Sequence, residues 1–321
     1  MSRITNIVAL CTLALSLSAS AQTYPTRPIS LVVGFPPGGG VDIVARQLAE
    51  KLQEVLGQPI VVENRAGAAG NVAMDYVARA KPDGYTLLMG NLGMLSANPA
   101  LYPKLTFDPA KDFVPIARVV TTPLVIVVPA SLKAQNLDEF IALARAKPDE
   151  MNFASGGNGN INHLAGELLK LQAGIQMQHV PYKGSAPALT DVVAGRDQLL
   201  IDGGNVVQAF VQQGTLRALA ITGETRSSSF PNVPTAKEAG LPNFVIYGWQ
   251  GVLAPAGTPA AVIDRLTAAI KQTLATPELN AKLAGQGTYP AFMPAPEFVS
   301  FIAAERKRWT EVITRAKIVA D

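Results

Sequence analysis

The chain has 321 residues, of which 48% are hydrophobic and 16% are charged. A disordered chain has the opposite balance, so we expect a globular protein, and the length suggests about two domains. The net charge of +3, from 27 basic and 24 acidic residues, is too small and too scattered for a protein that binds nucleic acid.

The N-terminus has the pattern of a secretory signal peptide, which predicts that residues 1–21 are removed. Arg3 supplies a positive charge, residues 7–17 form an apolar stretch, and small residues precede a cleavage point after Ala21. Cleavage would also remove Cys11, the only cysteine, so the mature protein would have no disulfide and no thiol ligand for a metal. We therefore expect export to the periplasm without a membrane anchor.

The first part of the mature chain alternates strand and helix patterns. Residues 29–35 form a β-rich run that ends in a Pro- and Gly-rich turn, and a helix with apolar residues every three to four positions continues to residue 56. Further along, we predict a strand at 59–62, a helix at 71–80, and strands at 86–89 and 123–128. The last run is apolar on both faces, which is typical of a parallel sheet covered by helices.

A second set of elements begins near residue 137. The patterns predict helices at 137–146, 161–168 and 185–194, and strands at 151–154, 177–180, 199–201 and 217–221. From residue 259 the chain looks helical almost to its end, with breaks near Pro277 and Pro294. A strand, a Gly-rich turn and an amphipathic helix occur in both sets, so we expect two similar α/β domains.

Two Gly-rich turns, at residues 35–40 and 155–160, are the strongest candidates for a binding site. Each follows a predicted strand and precedes a helix, whose unpaired N–H groups and positive dipole end attract anions. The first turn is neither a dinucleotide fingerprint nor a Walker loop, which argues against a nucleotide. Two such turns from two domains could clamp a small molecule that carries two anionic groups.

Catalysis and metal binding have weaker support. The only histidines, His163 and His179, lack the i,i+4 spacing of a metal site. Ser155, one of these histidines and Asp202 could assemble into a nucleophilic triad, because triads depend on geometry and not on order. The chain has no G-x-S-x-G elbow, so a serine hydrolase is a minor alternative.

An ordered set of short motifs runs through residues 24–321. It comprises Y-P-x-R-P-I, V-x-F-P-P-G-G-x-x-D-I-V-A-R, V-V-E-N-R-A-G-A-A-G-N, K-P-D-G-Y-T-L-L, S-G-G-N-G-N-I-N-H-L-A-G-E-L, V-P-Y-K-G, P-T-A-K-E-A-G-L-P and A-P-A-G-T-P. This set resembles the Bug family, the extracytoplasmic solute receptors of tripartite tricarboxylate transporters.

The resemblance implies a type II periplasmic-binding-protein fold, in which two α/β domains enclose a ligand cleft. Domain 1 would comprise residues 22–122 and 246–321, and domain 2 residues 123–245. The ligand would be a dicarboxylate, a tricarboxylate, an aromatic acid or an acidic amino acid, delivered to the permease subunits of a transporter. The resemblance implies neither catalysis nor a cofactor, and we expect a monomer.

The resemblance also assigns site residues. Phe35 would be an aromatic lid, and the backbone of Gly39 and Gly40 would approach the carboxylate, while Asp42 would cap the helix. The other expected ligand-binding residues are Asn91, Ser96, Ser155, Gly159, Asn160, His163, Tyr182 and Asp202. Asn91, Asn160 and the pair Gly204-Asn205 depart from the usual pattern, so the particular ligand stays open. A receptor that signals to a sensor protein, without a permease, also stays open.

Overall fold

The computed structural model describes residues 24–316 and 318. The predicted signal peptide, residues 1–21, and its cleavage point lie outside the described residues. None of the helices in the described part of the chain is both long and apolar enough to cross a membrane.

The described residues form ten strands. Their bounds are β1 Ile29–Val33, β2 Ile60–Asn64, β3 Thr86–Asn91, β4 Phe113–Pro129, β5 Asn152–Ser155, β6 Gln178–Pro181, β7 Leu199–Gly203, β8 Leu216–Ile221, β9 Tyr247–Pro255 and β10 Tyr289–Pro294.

Ten α-helices lie between and after these strands in the same part of the chain. Their bounds are α1 Gly40–Leu56, α2 Asn71–Ala78, α3 Asn98–Leu101, α4 Leu137–Ala146, α5 Ile161–Ala173, α6 Ser185–Val193, α7 Gly204–Gln212, α8 Ala260–Leu274, α9 Pro277–Ala284 and α10 Ala295–Ala316. A short 3₁₀ turn precedes α2, and a π-helical segment, Gly93–Ala97, precedes α3.

The strands form two groups that share β4. The first group has the order β2-β1-β3-β9-β4, with β10 also on β4, and the second has the order β6-β5-β7-β4-β8. Up to Pro123, β4 pairs with β9, and from Leu124 onward it pairs with β7 and β8. The chain returns to the first strand group between two consecutive residues. The Ile246 N–H donates to the Thr222 carbonyl, next to β8 of the second group, and Tyr247 pairs with Pro123 in the first group.

The predicted α/β fold is confirmed, and the strands β1, β2 and β3 are parallel, as are β5, β6 and β7. The prediction of a parallel partner for the run at 123–128 is wrong, because β4 is antiparallel to β7, β8 and β9. This run is apolar on both faces because both faces of β4 are buried, and the direction of its neighbours does not depend on that burial.

The C-terminal region is less helical than predicted. The expected breaks exist, since Pro277 begins α9 and Pro294 is the last residue before α10. Between α9 and α10, however, the chain forms the strand β10. Strand β9 and helix α7 have no counterpart among the predicted elements. Both contribute to the site described next.

Candidate ligand-binding cleft

A cleft of about 690 Å³, its open mouth included, lies where β4 and β9 pass from one strand group to the other. Its walls are the turn after β1, the ends of β3 and β7, the first residues of α5, α6 and α7, and the first part of β9. Because the carboxyl ends of parallel strands meet at one edge of a sheet, the turns that follow them converge here.

Four helices of at least nine residues begin at this cleft. Residues at or next to the starts of α1, α5, α6 and α7 line it, namely Gly40, Ile161, Ser185 and Asn205. The first N–H groups of a helix have no partner within that helix, and the helix dipole gives this end a partial positive charge. Four helix N-termini therefore give the cleft a positive electrostatic potential that comes from the backbone alone.

Three of the four helix starts have a glycine at the N-cap. Gly39, Gly184 and Gly203 precede α1, α6 and α7, so no N-cap side chain accepts a hydrogen bond from the first N–H groups of these helices. At α5 the Asn160 side chain accepts from the Ile161 N–H at 2.8 Å. Serine or aspartate at these N-caps would occupy the N–H groups that the glycines leave available to a ligand.

The lining residues carry almost no charge. Among those that the structure places around the cleft, Asp202 is the single ionisable one, and neither lysine nor arginine is present. An anion bound here would be held by backbone N–H groups and by the side-chain amides of Asn91, Asn160, Asn205 and Gln250.

The first Gly-rich turn is fixed by Asp42, an acidic residue in the first turn of α1, whereas the N-cap of this helix is Gly39 and not the predicted Asp42. The Gly38 N–H and the Asn64 amide donate to its carboxylate, each at 2.9 Å, and Arg46 donates at 3.0 Å. Burial opposes the charged form, but these three hydrogen bonds outweigh it and lower the pKa of Asp42. The carboxylate is therefore used to fix the turn, and its negative charge does not favour a direct contact with a bound anion.

The second Gly-rich turn is held by side chains that lie behind it. The Gly157 N–H donates to Ser155 Oγ at 3.1 Å, and the Gly159 N–H donates to His163 Nδ1 at 3.1 Å. Ser155 Oγ lies 2.6 Å from His179 Nε2, and the two histidine rings stack with centroids 3.8 Å apart. Burial, the nearby His163 and Lys170 lower the pKa of His179 to about 3, so this ring is neutral at physiological pH.

The structure brings six of the eleven predicted ligand-binding residues to the cleft. They are Phe35, Gly39, Gly40, Asn91, Asn160 and Asp202.

The other five predicted residues, Ser96, Ser155, Gly159, His163 and Tyr182, do not line the cleft. Ser96 and Ser155 are fully buried and His163 is nearly so. Ser155 and His163 support the second Gly-rich turn from behind, whereas Ser96 lies in the segment after β3. Gly159 faces α3, where an added Cβ would lie 2.5 Å from Leu101. The Tyr182 hydroxyl lies 2.7 Å from a carboxylate oxygen of both Asp191 and Asp197.

The structure, over the residues that it describes, contains one element of the hydrolase alternative, the contact between Ser155 and His179. Ser155 Oγ has no access to the cleft, because the residue is fully buried and lies outside its lining. Within the described part of the chain, no carboxylate forms a hydrogen bond with His179 that could orient its ring. A nucleophile needs both access to substrate and an oriented base, and this pair has neither.

Two residues close the cleft from the side of α7 and β9: Gln250 was not predicted, and Asn205 was noted only as a departure from the family pattern and not as a site residue. The Asn205 amide donates to the Gly40 carbonyl at 3.2 Å, and the Gln250 amide donates to the same oxygen at 3.3 Å. Asn205 thus joins α7 to α1 across the cleft. The turn Gly203-Gly204-Asn205 repeats the strand, glycine and helix pattern of the two predicted turns, and this pattern was the available signal.

Comparison with known proteins identifies the family. Residues 44–318 match the family described as tripartite tricarboxylate transporter family receptor. The chain belongs to this family. It is 40% identical over 314 residues to protein BugT of Bordetella pertussis, covering 97% of this chain and 96% of BugT.

Two solved structures similar to this receptor contain carboxylates. The Rhodopseudomonas palustris protein Rpa4515 with adipate has a TM-score of 0.90 and 35% identity, covering 93% of this chain and all of that chain. MatC from the same organism, with bound malate, has a TM-score of 0.84 and 34% identity, covering 90% of this chain and all of that chain. These similarities confirm the Bug-family resemblance and the periplasmic-binding-protein fold.

Proposed function

We propose that this receptor captures a small organic carboxylate in the cleft and does so without catalysis. The observation that carries the proposal is the convergence of four helix starts on a cleft whose lining contains no basic side chain. Such a site attracts negative charge through N–H groups and dipoles and gives a carboxylate several donors at once. The adipate and malate in the similar structures support a ligand of the dicarboxylate class.

We further propose that residues 22–122 and 246–321 form one domain and residues 123–245 the other, and that they close on the ligand. The partner exchange of β4 between Pro123 and Leu124, and the matching change between Ile246 and Tyr247, support hinges at these points. Ligand would favour the closed arrangement by contacting both sides of the cleft, which shifts an existing equilibrium.

The family and the similar solved structures of periplasmic proteins support a periplasmic location, which this protein would reach after cleavage behind Ala21. In that compartment the loaded receptor would pass its ligand to the membrane permease subunits of a tripartite tricarboxylate transporter. A purely regulatory role, in which the receptor signals to a sensor protein, is the second candidate for the loaded form.

A thermal-shift screen tests carboxylate capture. The mature protein, unfolded and refolded to remove bound ligand, is mixed with mono-, di- and tricarboxylic acids and with the matching diamides. A ligand at about 100 times its Kd stabilises the folded state by about 2.7 kcal/mol, so the melting temperature should rise for acids and not for diamides. Equal shifts for acids and diamides, or no shift for any acid, would refute the proposal.

A matched pair of variants places the binding event in the cleft. Ala186 lies in the first turn of α6 and lines the cleft. Ala186→Asp adds a negative charge where the ligand carboxylate is expected, whereas Ala186→Asn adds a side chain of the same size without charge. We expect the Asp variant to bind at least about tenfold more weakly than the Asn variant in isothermal titration, because like charges in a partly buried site repel. Equal affinities would place the ligand elsewhere.

A further inference from the structure

Asp202 is an anomaly in a cleft that is proposed to bind anions. It lies at the end of β7, lines the cleft, and is 6% exposed. Its Oδ1 accepts from the Gly203 N–H at 2.7 Å. Its Oδ2 is buried and forms no well-aligned hydrogen bond among the described residues, although the Ser185 hydroxyl and the Asn162 amide lie near enough to favour the charged form of the carboxyl group. A buried carboxylate oxygen without a hydrogen-bond partner is costly in a folded protein, so we expect the ligand to supply the missing partner.

Among the described residues, no positively charged side chain compensates this carboxyl group. The elements packed most closely against β7 are β4, β5, α5, α6 and α7, and neither β5 nor α7 carries an ionisable side chain. The ionisable residues of the other three are Arg118, His163, Glu167, Lys170 and Asp191.

None of these residues forms an ion pair with Asp202 within the described part of the chain. Glu167 pairs with Lys170, and Asp191 pairs with Arg196. The Arg118 guanidinium donates to the Ala291 carbonyl. His163 Nδ1 accepts from the Gly159 N–H in the second turn. Asp202 is therefore buried without a counter-ion.

The neutral form of Asp202 fits these surroundings better than the charged form. Burial raises the pKa of Asp202 above its ordinary value, and the neighbouring Ser185 hydroxyl, Gly203 N–H and Asn162 amide offset this only in part. A ligand carboxylate in the same cleft would raise it further, because two carboxylates that share a small site cannot both be charged without a large cost. A protonated carboxyl group in an apolar site can serve as a hydrogen-bond donor.

We infer that Asp202 is protonated in the complex and that its Oδ2 donates a hydrogen bond to a carboxylate oxygen of the ligand. The proton comes from solvent and stays on Oδ2, so binding of the ligand anion is coupled to the uptake of up to one proton. This inference rests on the proposed function, since it assigns Asp202 a specificity role toward the same carboxylate. A ligand that offered only hydrogen-bond donors would lose this contact.

Isothermal titration with adipate and with malate between pH 5.5 and 8.5 tests the coupling, because both acids are almost fully ionised over most of this range. In the wild-type protein the affinity should fall by up to about tenfold per pH unit above the pKa of Asp202 in the free protein. Buffers of different ionisation enthalpy should reveal proton uptake. Asp202→Asn should bind with a pH-independent affinity, because an amide donates without titrating. Asp264→Asn, at an exposed position on α8, should behave as wild type.

A ligand-free measurement keeps the inference testable if neither acid binds. A carboxyl group whose pKa is higher in the folded state than in the unfolded state destabilises the fold as pH rises above the unfolded value. Urea unfolding should therefore show Asp202→Asn gaining stability over wild type between pH 4.5 and 8. Parallel curves would overturn the inference.

Different results would refute the proposed function and the role of Asp202. Absence of binding by every acid in the thermal-shift screen refutes the proposed function. Binding with a pH-independent wild-type affinity and no proton uptake leaves that function intact and overturns the role of Asp202. If Asp202→Asn does not fold, the proton uptake of the wild-type protein still decides the question.

Discussion

Glu305 holds both tryptophans of the chain, and its removal should destabilise the protein strongly. Its Oε2 accepts from Trp249 Nε1 at 3.0 Å and from Trp309 Nε1 at 3.2 Å. Glu305 is 9% exposed and the two indole rings are almost fully buried. Trp249 also lines the cleft, so this carboxylate connects α10 to the cleft wall.

The expected loss follows from the two donors that would be left without a partner. Each buried donor that loses its acceptor costs about 1–3 kcal/mol, so Glu305→Leu should lower the free energy of unfolding by about 2–6 kcal/mol. The exposed contact of Arg308 with Glu305, at 3.5 Å, adds little. Glu305→Gln should cost about 1 kcal/mol, because its amide oxygen still accepts from an indole N–H.

Urea unfolding monitored by tryptophan fluorescence measures this loss, since Trp249 and Trp309 are the only tryptophans. Glu311→Gln is the control, because Glu311 lies on the same helix and its side chain is 70% exposed. Its stability should stay within about 0.5 kcal/mol of wild type. If Glu305→Leu were as stable as this control, the two hydrogen bonds would not contribute to stability, and the reasoning from buried donors would be refuted.

Three further predictions concern the second strand group and the cleft. Gly166→Ala should lower the midpoint of urea unfolding markedly, because its Cβ would lie 2.3 Å from the Phe153 ring, whereas Gly174→Ala meets no atom within 4 Å and tests only its left-handed φ of 62°. Equal losses for both variants would contradict the steric argument. Asn205→Ala removes the hydrogen bond across the cleft, so the affinity for the best acid should fall about fivefold in isothermal titration. An unchanged affinity would show that this bond does not contribute to ligand binding. His179 stays neutral in the fold while its unfolded counterpart gains a proton below about pH 6.5, so acidification toward pH 4 should destabilise wild type more than His179→Gln in urea unfolding; identical pH slopes would show that its lowered pKa is not expressed.

The fold was predictable wherever local pattern and tertiary environment agree. The apolar residues Val44, Leu48 and Leu52 recur at helical spacing, and all three are buried on α1. Strand β9 escaped prediction because Gly248 and Gly251 interrupt it, and glycine is disfavoured in strands. The structure explains Gly251, since an added Cβ would lie 2.4 Å from the Phe298 ring. A long-range contact therefore decides this residue, and no local pattern contains it.

The difference between local pattern and long-range contact also explains why the turns were predicted correctly and several of their side chains were not. The turns at Phe35 and Ser155 were identifiable because a strand, glycines and a helix start are consecutive in the chain. Whether a side chain in such a turn faces the cleft depends on the elements packed around it. Ser155 and His163 turn inward to hold N–H groups of the second turn, and Asn205 reaches across the cleft to another helix. Neither direction can be predicted from residue type.

Recognition through helix starts also explains why the motifs predict the family better than the ligand. Under the proposed function, backbone N–H groups at the four helix starts would favour any small carboxylate, and two of the glycine N-caps that leave such groups available, Gly39 and Gly184, lie within the family motifs. Discrimination among carboxylates would then depend on the few polar side chains in the lining, chiefly Asn91, Asn160, Asn205 and Asp202. Because an unmatched buried polar group costs more than a matched one contributes, a ligand that leaves Asp202 Oδ2 without a partner should be rejected even when its size is right.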